Sequence, residues 1–523
     1  MNNTLKSFSI VTVFSVLTRL MSFLFKIWMS RSLGAETVGL YQIALSVILL
    51  LFSLTGSAGV VLSRKIAAAA ARGDTARQNS LVTAALAIGG GVSLGVLALL
   101  YACSPLLGHI FADERCIPIF LIMLPVLVTS SFYAPLRSWF WGRKKFVHFS
   151  ATEFADELFK IAFALVITGG AAAAIGGAQS VALALILSDI PSVALVAFLY
   201  FRSGGRLARP RGGKELVTAT LPLSAVRILS SLSASLTALV IPSRLVAGGM
   251  DAALATAEYG RVAGMALPLI MAPVTVIGAL SVVLTPDIAE LAAEGKYAEI
   301  RGKLQMSLLF AAIVAAAFFA VYAPLGTELG IFFFGDAGAG EFVSAGAAMI
   351  FPLALTQVTS PVLNSLGMEK VTLLGCVCGL VCTIPCIFLL PSVIGIYSVA
   401  AASGIALTVT AAVGSIALAR RLGGLQGAGK AVIVCLFSLP LSLLGFLLRR
   451  LLSACTGEFL TILLVALPIA GLLAAFLGVF GIVDIKAFFS MALPSRADFT
   501  SVLAKRKRHE RKRQRKRRVS SAC

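Results

Sequence analysis

The residues of this chain that are best suited to chemistry are charged side chains inside long apolar segments. They are Arg19, Lys26, Glu153, Asp156, Glu157, Lys160, Asp189 and Arg227. An ionisable group at the centre of a bilayer costs about 2.5–3.5 kcal/mol on insertion scales, so such groups face a cavity or a partner. Arg19 and Lys26 are seven residues apart, which puts both near one face of a helix. We therefore expect these residues to line a polar cavity between helices.

Structural roles are the alternative for several of these residues. Arg19 and Lys26 can extend to lipid headgroups from the two ends of their span. Glu157 and Lys160 are i,i+3 neighbours and can form an ion pair that holds helices together. Arg227 lies well inside an otherwise apolar segment, so it has the strongest claim to a cavity.

Cations that line a cavity favour an anionic ligand. Guanidinium groups form forked hydrogen bonds with phosphate oxygens, whereas a cationic drug needs carboxylates and aromatic rings. The chain has no P-loop, no Gly-x-Ser-x-Gly motif and no zinc-ligand spacing. Cys376, Cys378, Cys382 and Cys386 turn around one apolar helix without a histidine or carboxylate, so we expect them to pack helices. We expect no catalysis, no cofactor and no metal.

The composition indicates that most of the chain lies in a lipid bilayer. Its mean hydropathy is +0.97, with 59% hydrophobic and 13% charged residues, far from the range of soluble globular proteins. Fourteen apolar segments are long enough to cross about 30 Å of hydrocarbon. They are residues 8–29, 40–62, 81–104, 116–136, 149–169, 176–201, 216–242, 263–285, 305–333, 344–364, 371–391, 394–420, 430–448 and 459–482.

The distribution of Lys and Arg predicts the orientation. With the N-terminus in the cytoplasm, the inner loops carry most of these residues, including Arg64, whereas the outer loops 170–175 and 334–343 carry none. The positive-inside rule then predicts an even number of spans with both termini in the cytoplasm. Arg449 and Arg450 are the main exceptions. Topology explains Arg64, and a gating or headgroup-binding role is the alternative.

The C-terminal end of the chain is strongly basic. Residues 505–518 contain eleven Lys or Arg and one Glu. Like charges at this density repel one another, so we expect a disordered tail over residues 486–523. Anionic lipid headgroups are the expected partner. Nucleic acid is not expected, because no aromatic residue interleaves the charges.

An internal repeat divides the chain into two similar halves. Residues 62–81 and 284–305 share six residue types at an offset of 222. In the first copy these are Ile66, Ala67, Ala70, Ala71, Gly73 and Ala76. A second motif, Gly142–Lys145, resembles Gly367–Lys370 at an offset of 225. A repeat that runs in the same direction predicts a twofold axis along the membrane normal, with a site between the two bundles.

Several ordered stretches within residues 1–485 carry a family resemblance. They are Ser30-Arg-Ser-Leu-Gly-Ala-Glu-Thr-Val-Gly-Leu-Tyr-Gln42, Ser63-Arg64, Arg137-Ser-Trp-Phe-Trp-Gly142, Glu157-Leu-Phe-Lys160, Ile241-Pro-Ser-Arg-Leu245 and the stretch from Tyr259 to Pro286. The chain resembles polysaccharide flippases of the stage V sporulation protein B type, in the multidrug/oligosaccharidyl-lipid/polysaccharide exporter superfamily. It departs from that family at Lys160, where arginine is usual, and in its basic tail.

The resemblance implies an all-α polytopic membrane protein of fourteen helices. The expected parts are a six-helix lobe in 1–212, a second six-helix lobe in 213–425, two extra helices in 426–485 and the tail in 486–523. The implied function is to flip an undecaprenyl-pyrophosphate-linked saccharide across the bacterial cytoplasmic membrane by alternating access. Such a lipid serves polysaccharide, peptidoglycan or spore-cortex synthesis.

The resemblance also implies which residues form the site. In related lipid II flippases, basic residues of the first helices and of the second lobe line the cavity, and Arg19, Lys26 and Arg227 are the candidates here. Glu157, Lys160, Arg64 and Asp189 complete the candidate set. The alternatives are an Na⁺- or H⁺-coupled multidrug exporter, with Asp156 or Asp189 binding the ion, and a scaffold that transports nothing. We expect the protein to act as a monomer.

Overall fold

The computed structural model describes residues 2–55, 58–424, 428–452 and 457–481. Within these ranges all regular secondary structure is helical. The first lobe contains α1 (Asn2–Thr55), α2 (Ala58–Ala71), α3 (Thr75–Ala102), α4 (Cys116–Met123), α5 (Val126–Gly142), α6 (Phe146–Ile175) and α7 (Gly177–Arg202). The tail predicted for residues 486–523 lies outside the described residues.

The second lobe repeats the packing of the first. Its helices are α8 (Gly213–Ala247), α9 (Ala252–Gly260), α10 (Leu267–Ile270), α11 (Ala272–Ala293), α12 (Tyr297–Phe334), α13 (Ala337–Gly346), α14 (Ile350–Ser365), α15 (Glu369–Leu389), α16 (Pro391–Ile394) and α17 (Ser398–Leu422). As α3 packs on α5 and α6 on α7, so α12 packs on α14 and α15 on α17. Two further helices, α18 (Ala428–Leu452) and α19 (Glu458–Val479), pack on α12.

Helix α1 contains two segments that meet at one residue. Gly34 has φ 79° and ψ 168°, and helical structure continues on both sides of it. Glycine suits this break because it reaches positive φ without a steric cost. The sequence predicted spans at 8–29 and 40–62, and the second is wrong in its bounds. The polar stretch around Gly34 is itself helical, so the second segment follows directly and ends at Thr55.

The number of membrane spans differs from the sequence-based count. Among the residues that the structure describes, twelve helical stretches are long and apolar enough to cross a membrane. One of them, Val13–Ser53, contains the break at Gly34, and the charged helix α6 is not among the twelve. The prediction of a polytopic helical membrane protein is confirmed, whereas the count of fourteen spans stays a prediction.

The backbone reproduces the first repeat. Helix α2 ends at Ala71 and α3 begins at Thr75, and 222 residues later α11 ends at Ala293 and α12 begins at Tyr297. Each turn centres on a glycine of positive φ, 72° at Gly73 and 73° at Gly295. The amide of the next residue, Asp74 or Lys296, donates to a carbonyl five residues earlier at 3.0 Å in both copies. The two segments are therefore the same structural unit.

The second repeat has a different offset from the one that the sequence predicted. Helices α5 and α14 end at Gly142 and Ser365, an offset of 223 rather than 225. The residue of positive φ is Lys144 (58°) in the first copy and Gly367 (72°) in the second. Matching glycine to glycine was misleading, because a lysine takes the left-handed position in the first copy.

An ion pair joins α18 to the second lobe. Arg449 Nε donates to Glu328 Oε1 at 2.5 Å, and Arg449 Nη1 donates to the Pro324 carbonyl at 3.0 Å. The Glu328 side chain is only 10% exposed, so the pair lies largely away from water. Arg449 was an exception to the expected charge distribution, and Glu328 neutralises its charge.

Candidate functional site

A cavity of about 400 Å³ with several polar residues in its lining lies inside the first lobe. Its walls come from both segments of α1 and from α6 and α7, and its polar lining residues are Ser22, Lys26, Tyr41, Gln42, Glu157 and Lys160. Lys26, Glu157 and Lys160 are thus three of the residues that the sequence singled out. The break at Gly34 changes the course of α1, and residues on both sides of the break line this cavity.

Hydrogen bonds join the polar residues of this cavity. Ser22 Oγ of α1 donates to Glu157 Oε1 of α6 at 2.6 Å. Lys160 Nζ donates to Asp156 Oδ2 at 2.7 Å, one helical turn away, and lies 3.9 Å from Glu157 Oε2. The predicted i,i+3 pair of Glu157 and Lys160 is therefore present, but the shorter contact of Lys160 is with Asp156.

A second cavity of about 260 Å³ adjoins the first. Lys160 lines both cavities, and Asp156 and Asp189 line the second together with Ser130, Tyr133 and Ser192. Thr129 Oγ1 of α5 donates a short hydrogen bond to Asp189 Oδ2. Asp189 therefore projects from α7 toward the charged face of α6.

The charge of the two cavities is the opposite of what an anion-binding site requires. They hold three carboxylates, those of Asp156, Glu157 and Asp189, against the two ammonium groups of Lys26 and Lys160. The formal excess is one negative charge. The sequence grouped Lys26 and Lys160 with cations that attract an anion, but these lysines lie beside acids. The interior of the first lobe thus suits a bound cation better than a phosphate.

Glu153 has a role apart from these cavities. It forms a short ion pair with Arg137 of α5, whose guanidinium lies 3.8 Å from the centre of the Phe149 ring. Glu153, one of the charged residues that the sequence singled out, therefore has a partner on another helix. The pair links α5 to α6.

Arg19 and Arg227 stand apart from the cavities within the first lobe. Both side chains are exposed, and neither forms an ion pair with any residue that the structure describes. Arg19 precedes Lys26 by seven residues, about 10 Å along the same face of α1. Arg227 precedes Ser235 by eight residues, about 12 Å along α8, and Ser235 Oγ donates to the Ser46 carbonyl of the first lobe at 2.7 Å.

Arg64 lies on α2, at the end of the first lobe that the sequence predicts to face the cytoplasm. Its side chain is exposed on α2 and lines none of the described cavities. The neighbouring Lys65 instead forms a short ion pair with Glu215, in the first turn of α8.

The two lobes are fastened to each other near Gly34. Arg31 Nε donates to the Phe333 carbonyl at 2.9 Å, and its Nη2 donates to the carbonyls of Ile331 and Phe332. These carbonyls belong to the last turn of α12, where a cation also interacts favourably with the helix dipole. Ser30 Oγ donates to the Phe334 carbonyl at 3.4 Å. The start of the Ser30–Gln42 motif therefore binds the end of a helix in the other lobe.

Glycines allow the backbones of the lobes to touch beside this contact. A Cβ at Gly39 would clash with the Thr256 carbonyl of α9, and a Cβ at Gly260 would clash with the Ala35 carbonyl of α1. Thr256 Oγ1 also donates to Asp113 of the first lobe at 3.3 Å. We call the contacts of Ser30, Arg31, Gly39, Thr256 and Gly260 across the lobes the lobe seal.

Sequence reasoning missed the uncharged members of the site. Ser22 and Thr129 each donate to a carboxylate on another helix, 135 and 60 residues away in the chain. Tyr41 and Gln42 line the larger cavity from the second segment of α1. A lone serine or threonine in an apolar helix carries no pairing signal, so only the fold reveals these contacts.

The chain is similar in sequence or in fold to several known proteins. The chain is 24% identical over 404 residues to the stage V sporulation protein B of Bacillus subtilis (strain 168), covering 74% of this chain and 77% of the relative. The lipid II flippase MurJ in an inward closed conformation matches 89% of this chain and 98% of its own, with a TM-score of 0.68 at 12% identity. An inward-facing multidrug resistance MATE transporter of the MOP superfamily matches 78% and 95%, with a TM-score of 0.63 at 16% identity.

These structural matches show a shared fold. The family model described as "Polysaccharide biosynthesis protein" matches residues 4–292, more than half of the chain. That range includes the first lobe, α8 and the lobe seal on α9. The resemblance found in the sequence is confirmed: the chain belongs to the polysaccharide biosynthesis protein family.

Proposed function

We propose that this protein flips a lipid-linked saccharide across the bacterial cytoplasmic membrane by alternating access. The cargo in this proposal is an undecaprenyl-pyrophosphate-linked oligosaccharide or cell-wall precursor. The saccharide occupies the space between the lobes 1–212 and 213–425, and the polyprenyl chain remains in the bilayer. Membership of the polysaccharide biosynthesis protein family supports this cargo class.

The observation that carries the proposal is the pair of exposed guanidinium groups of Arg19 and Arg227. They lie on α1 and α8, the first helix of each lobe, and each lacks an ion-pair partner among the described residues. An unpaired cation within a membrane span is costly unless it meets water or an anion. A pyrophosphate between the lobes meets this requirement, since each guanidinium binds phosphate oxygens through forked hydrogen bonds.

Alternating access requires one end of the central space to be closed while the other is open. The lobe seal fastens α1 to α9 and α12 near Gly34. In the orientation that we propose, with both termini in the cytoplasm, Gly34 lies at the outer face. The structure then corresponds to a state closed to the outside, in which the cargo reaches Arg19 and Arg227 from the cytoplasm.

The carboxylates inside the first lobe supply ligands for a coupling ion. Asp189 and Asp156 line one cavity with Lys160, and Thr129 orients Asp189 by a hydrogen bond. We propose that H⁺ or Na⁺ binds at Asp189. The bound ion neutralises this carboxylate and so weakens its attraction to the Lys160 ammonium group. An ion that binds one facing state more tightly than the other shifts the population of the two states. In the adjoining cavity, Ser22 of α1 donates to Glu157 of α6 and so links α1 to this charged region.

The second candidate function is an ion-coupled multidrug exporter. The same acidic cavities favour it, because carboxylates bind cationic drugs as well as ions. In that case Glu157, Asp156 and Asp189 bind the cargo, and the exposed arginines have no part in recognition. The two functions thus assign the cargo to different residues.

Reconstitution into liposomes separates the two functions. One measurement follows a fluorescent undecaprenyl-pyrophosphate-linked saccharide from one leaflet to the other, and a second follows a cationic dye across the membrane. We expect facilitated movement of the lipid-linked saccharide and none of the dye. Dye export without movement of the lipid would contradict the proposal and establish the second candidate.

A further inference from the structure

A cluster of cations at the start of the second lobe surrounds a single carboxylate. Glu215, in the first turn of α8, accepts a short hydrogen bond from Lys65 Nζ of α2 and one of 2.7 Å from Arg77 Nη2 of α3. An open pocket of about 640 Å³ adjoins it and is lined by Lys65, Lys214 and Glu215. Three cations thus meet one acid, a formal excess of two positive charges.

The matching segment of the second lobe is different. There Asp287 forms a short ion pair with Lys303, and Lys296 Nζ lies 2.8 Å from Glu294 and 3.8 Å from Glu299. Every one of these pairs forms within or beside the repeat itself. In the first copy, by contrast, the acid comes from α8, which belongs to the other lobe. The repeated segment therefore forms ion pairs with the other lobe in its first copy, whereas the ion pairs of its second copy stay within the repeat.

The rest of this region is held in place without Glu215. Ser80 Oγ donates to the Arg209 carbonyl at 2.8 Å, and the Ala208 amide donates to Thr83 Oγ1 at 3.0 Å. Tyr200 Oη donates to the Arg206 carbonyl at 3.0 Å. These bonds fix the connecting segment on α3 and α7. Leu216, the next residue of α8, is buried against α3. Loss of the Glu215 contacts would therefore leave the cations and the helix in place and release only the Glu215 side chain.

We propose that Lys65, Arg77 and Lys214 form a binding site for the phosphate of a lipid headgroup, and that the Glu215 carboxylate occupies this site until phosphate displaces it. This inference goes beyond the proposed flipping activity, because either an anionic phospholipid or a lipid diphosphate offers the required chemistry. Displacement frees the Glu215 carboxylate at the start of α8, the helix that carries Arg227.

The exchange is energetically easy. The Glu215 side chain is 54% exposed, and an ion pair in contact with water contributes little to stability. A phosphate brings more oxygen acceptors and more negative charge than a carboxylate, so it binds the forked Arg77 guanidinium better. The hydrogen bond from Lys65 lowers the pKa of Glu215 below its ordinary value. The carboxylate therefore stays charged at neutral pH, and a competing anion is the means of releasing it.

Equilibrium binding of two lipids tests this proposal without any transport. The full chain is placed in nanodiscs of zwitterionic lipid and titrated with undecaprenyl diphosphate in one arm and phosphatidylglycerol in the other. Glu215→Gln removes the competing charge at nearly constant size, and we expect affinity to rise about three- to fivefold. Lys65→Ala with Arg77→Ala should weaken binding about tenfold or more, whereas Lys65→Arg should retain it.

The second copy of the repeat supplies the matched controls. Asp287→Asn corresponds to Glu215→Gln, and Lys296→Ala with Lys303→Ala corresponds to the double cation variant. We expect both controls to bind within twofold of the parent protein. A response in the diphosphate arm alone identifies the lipid diphosphate as the ligand, and a response in both arms identifies a general phosphate site. Unchanged affinity in Glu215→Gln, or equal losses in the two double variants, would overturn the proposal.

Discussion

Arg31 of α1 donates a hydrogen bond to the carbonyl oxygen of Phe333 at the end of α12, with 2.9 Å between Nε and O, and so joins the two lobes. The same guanidinium reaches the carbonyls of Ile331 and Phe332. Charge-assisted hydrogen bonds contribute about 1.5–3 kcal/mol each. Arg31 is therefore the main polar fastening of the lobe seal, and its loss should favour the state in which the seal is open.

Arg31→Ala should lengthen the distance between the lobes at this end. Spin labels at the exposed positions Ser32 and Ala337, in a background without cysteine, report that distance by pulsed electron resonance. We expect the variant to shift the distribution toward longer distances. Arg261→Ala is the control, because Arg261 pairs with Glu258 and Asp336 inside the second lobe. A distribution unchanged by Arg31→Ala would show that the seal does not depend on this residue.

The close approach of α1 and α9 makes Gly260 sensitive to any side chain. Gly260→Ala puts a Cβ against the Ala35 carbonyl, and overpacking of this kind costs about 1–3 kcal/mol. We expect a lower thermal unfolding temperature in detergent. Gly278→Ala is the control, since no atom lies within 4 Å of its added Cβ and alanine favours a helix by up to about 1 kcal/mol. Equal effects at the two positions would argue against close packing of the lobes.

The ion pair of Arg449 and Glu328 should stabilise the attachment of α18 to α12. Arg449→Ala leaves the mostly buried Glu328 carboxylate without its partner, and breaking a buried pair in this way costs about 3–5 kcal/mol. Thermal unfolding followed by circular dichroism measures the loss. Arg450→Ala changes the adjacent, exposed arginine and should be nearly neutral. A Glu328→Gln exchange added to Arg449→Ala should recover part of the stability, and failure to do so would point to packing rather than charge.

Asp189 should determine how transport depends on the ion gradient. Asp189→Asn keeps the size of the side chain and removes its charge, so the proposed ion loses its ligand beside Lys160. We expect flipping in proteoliposomes to lose its response to an imposed H⁺ or Na⁺ gradient. Glu114→Gln, at an exposed position, should respond like the parent protein. If Asp189→Asn still responded fully to the gradient, the coupling ion would have to bind at another site.

Much of the architecture could be predicted from hydropathy and from the internal repeat. Hydropathy predicted helices in lipid, and the repeated residues from Ile66 to Ala76 predicted two copies of one unit, which the matching turns at Gly73 and Gly295 confirm. Bounds were less predictable where a single residue makes the turn. Gly34 interrupts α1 without a loop, and Lys144 takes a conformation usually held by glycine.

The candidate site was predictable residue by residue but not as an arrangement. The sequence identified Lys26, Glu157, Lys160 and Asp189 as unusual in their apolar surroundings, and the structure brings them into adjoining cavities. It could not indicate that carboxylates outnumber lysines there, because that depends on which helix faces pack together. Asp156 also lies within one turn of Lys160 and takes its shortest contact.

The most direct test of the account is the flipping rate of Arg19→Ala combined with Arg227→Ala. Each arginine is expected to contribute charge-assisted hydrogen bonds to the pyrophosphate, and a loss of about 1.4 kcal/mol is a factor of ten. We predict at least a tenfold slower movement of an undecaprenyl-pyrophosphate-linked saccharide in proteoliposomes, with Arg206→Ala as an exposed control that stays near the parent rate. A double variant that flips the lipid at the parent rate would contradict the role of these arginines in binding the cargo.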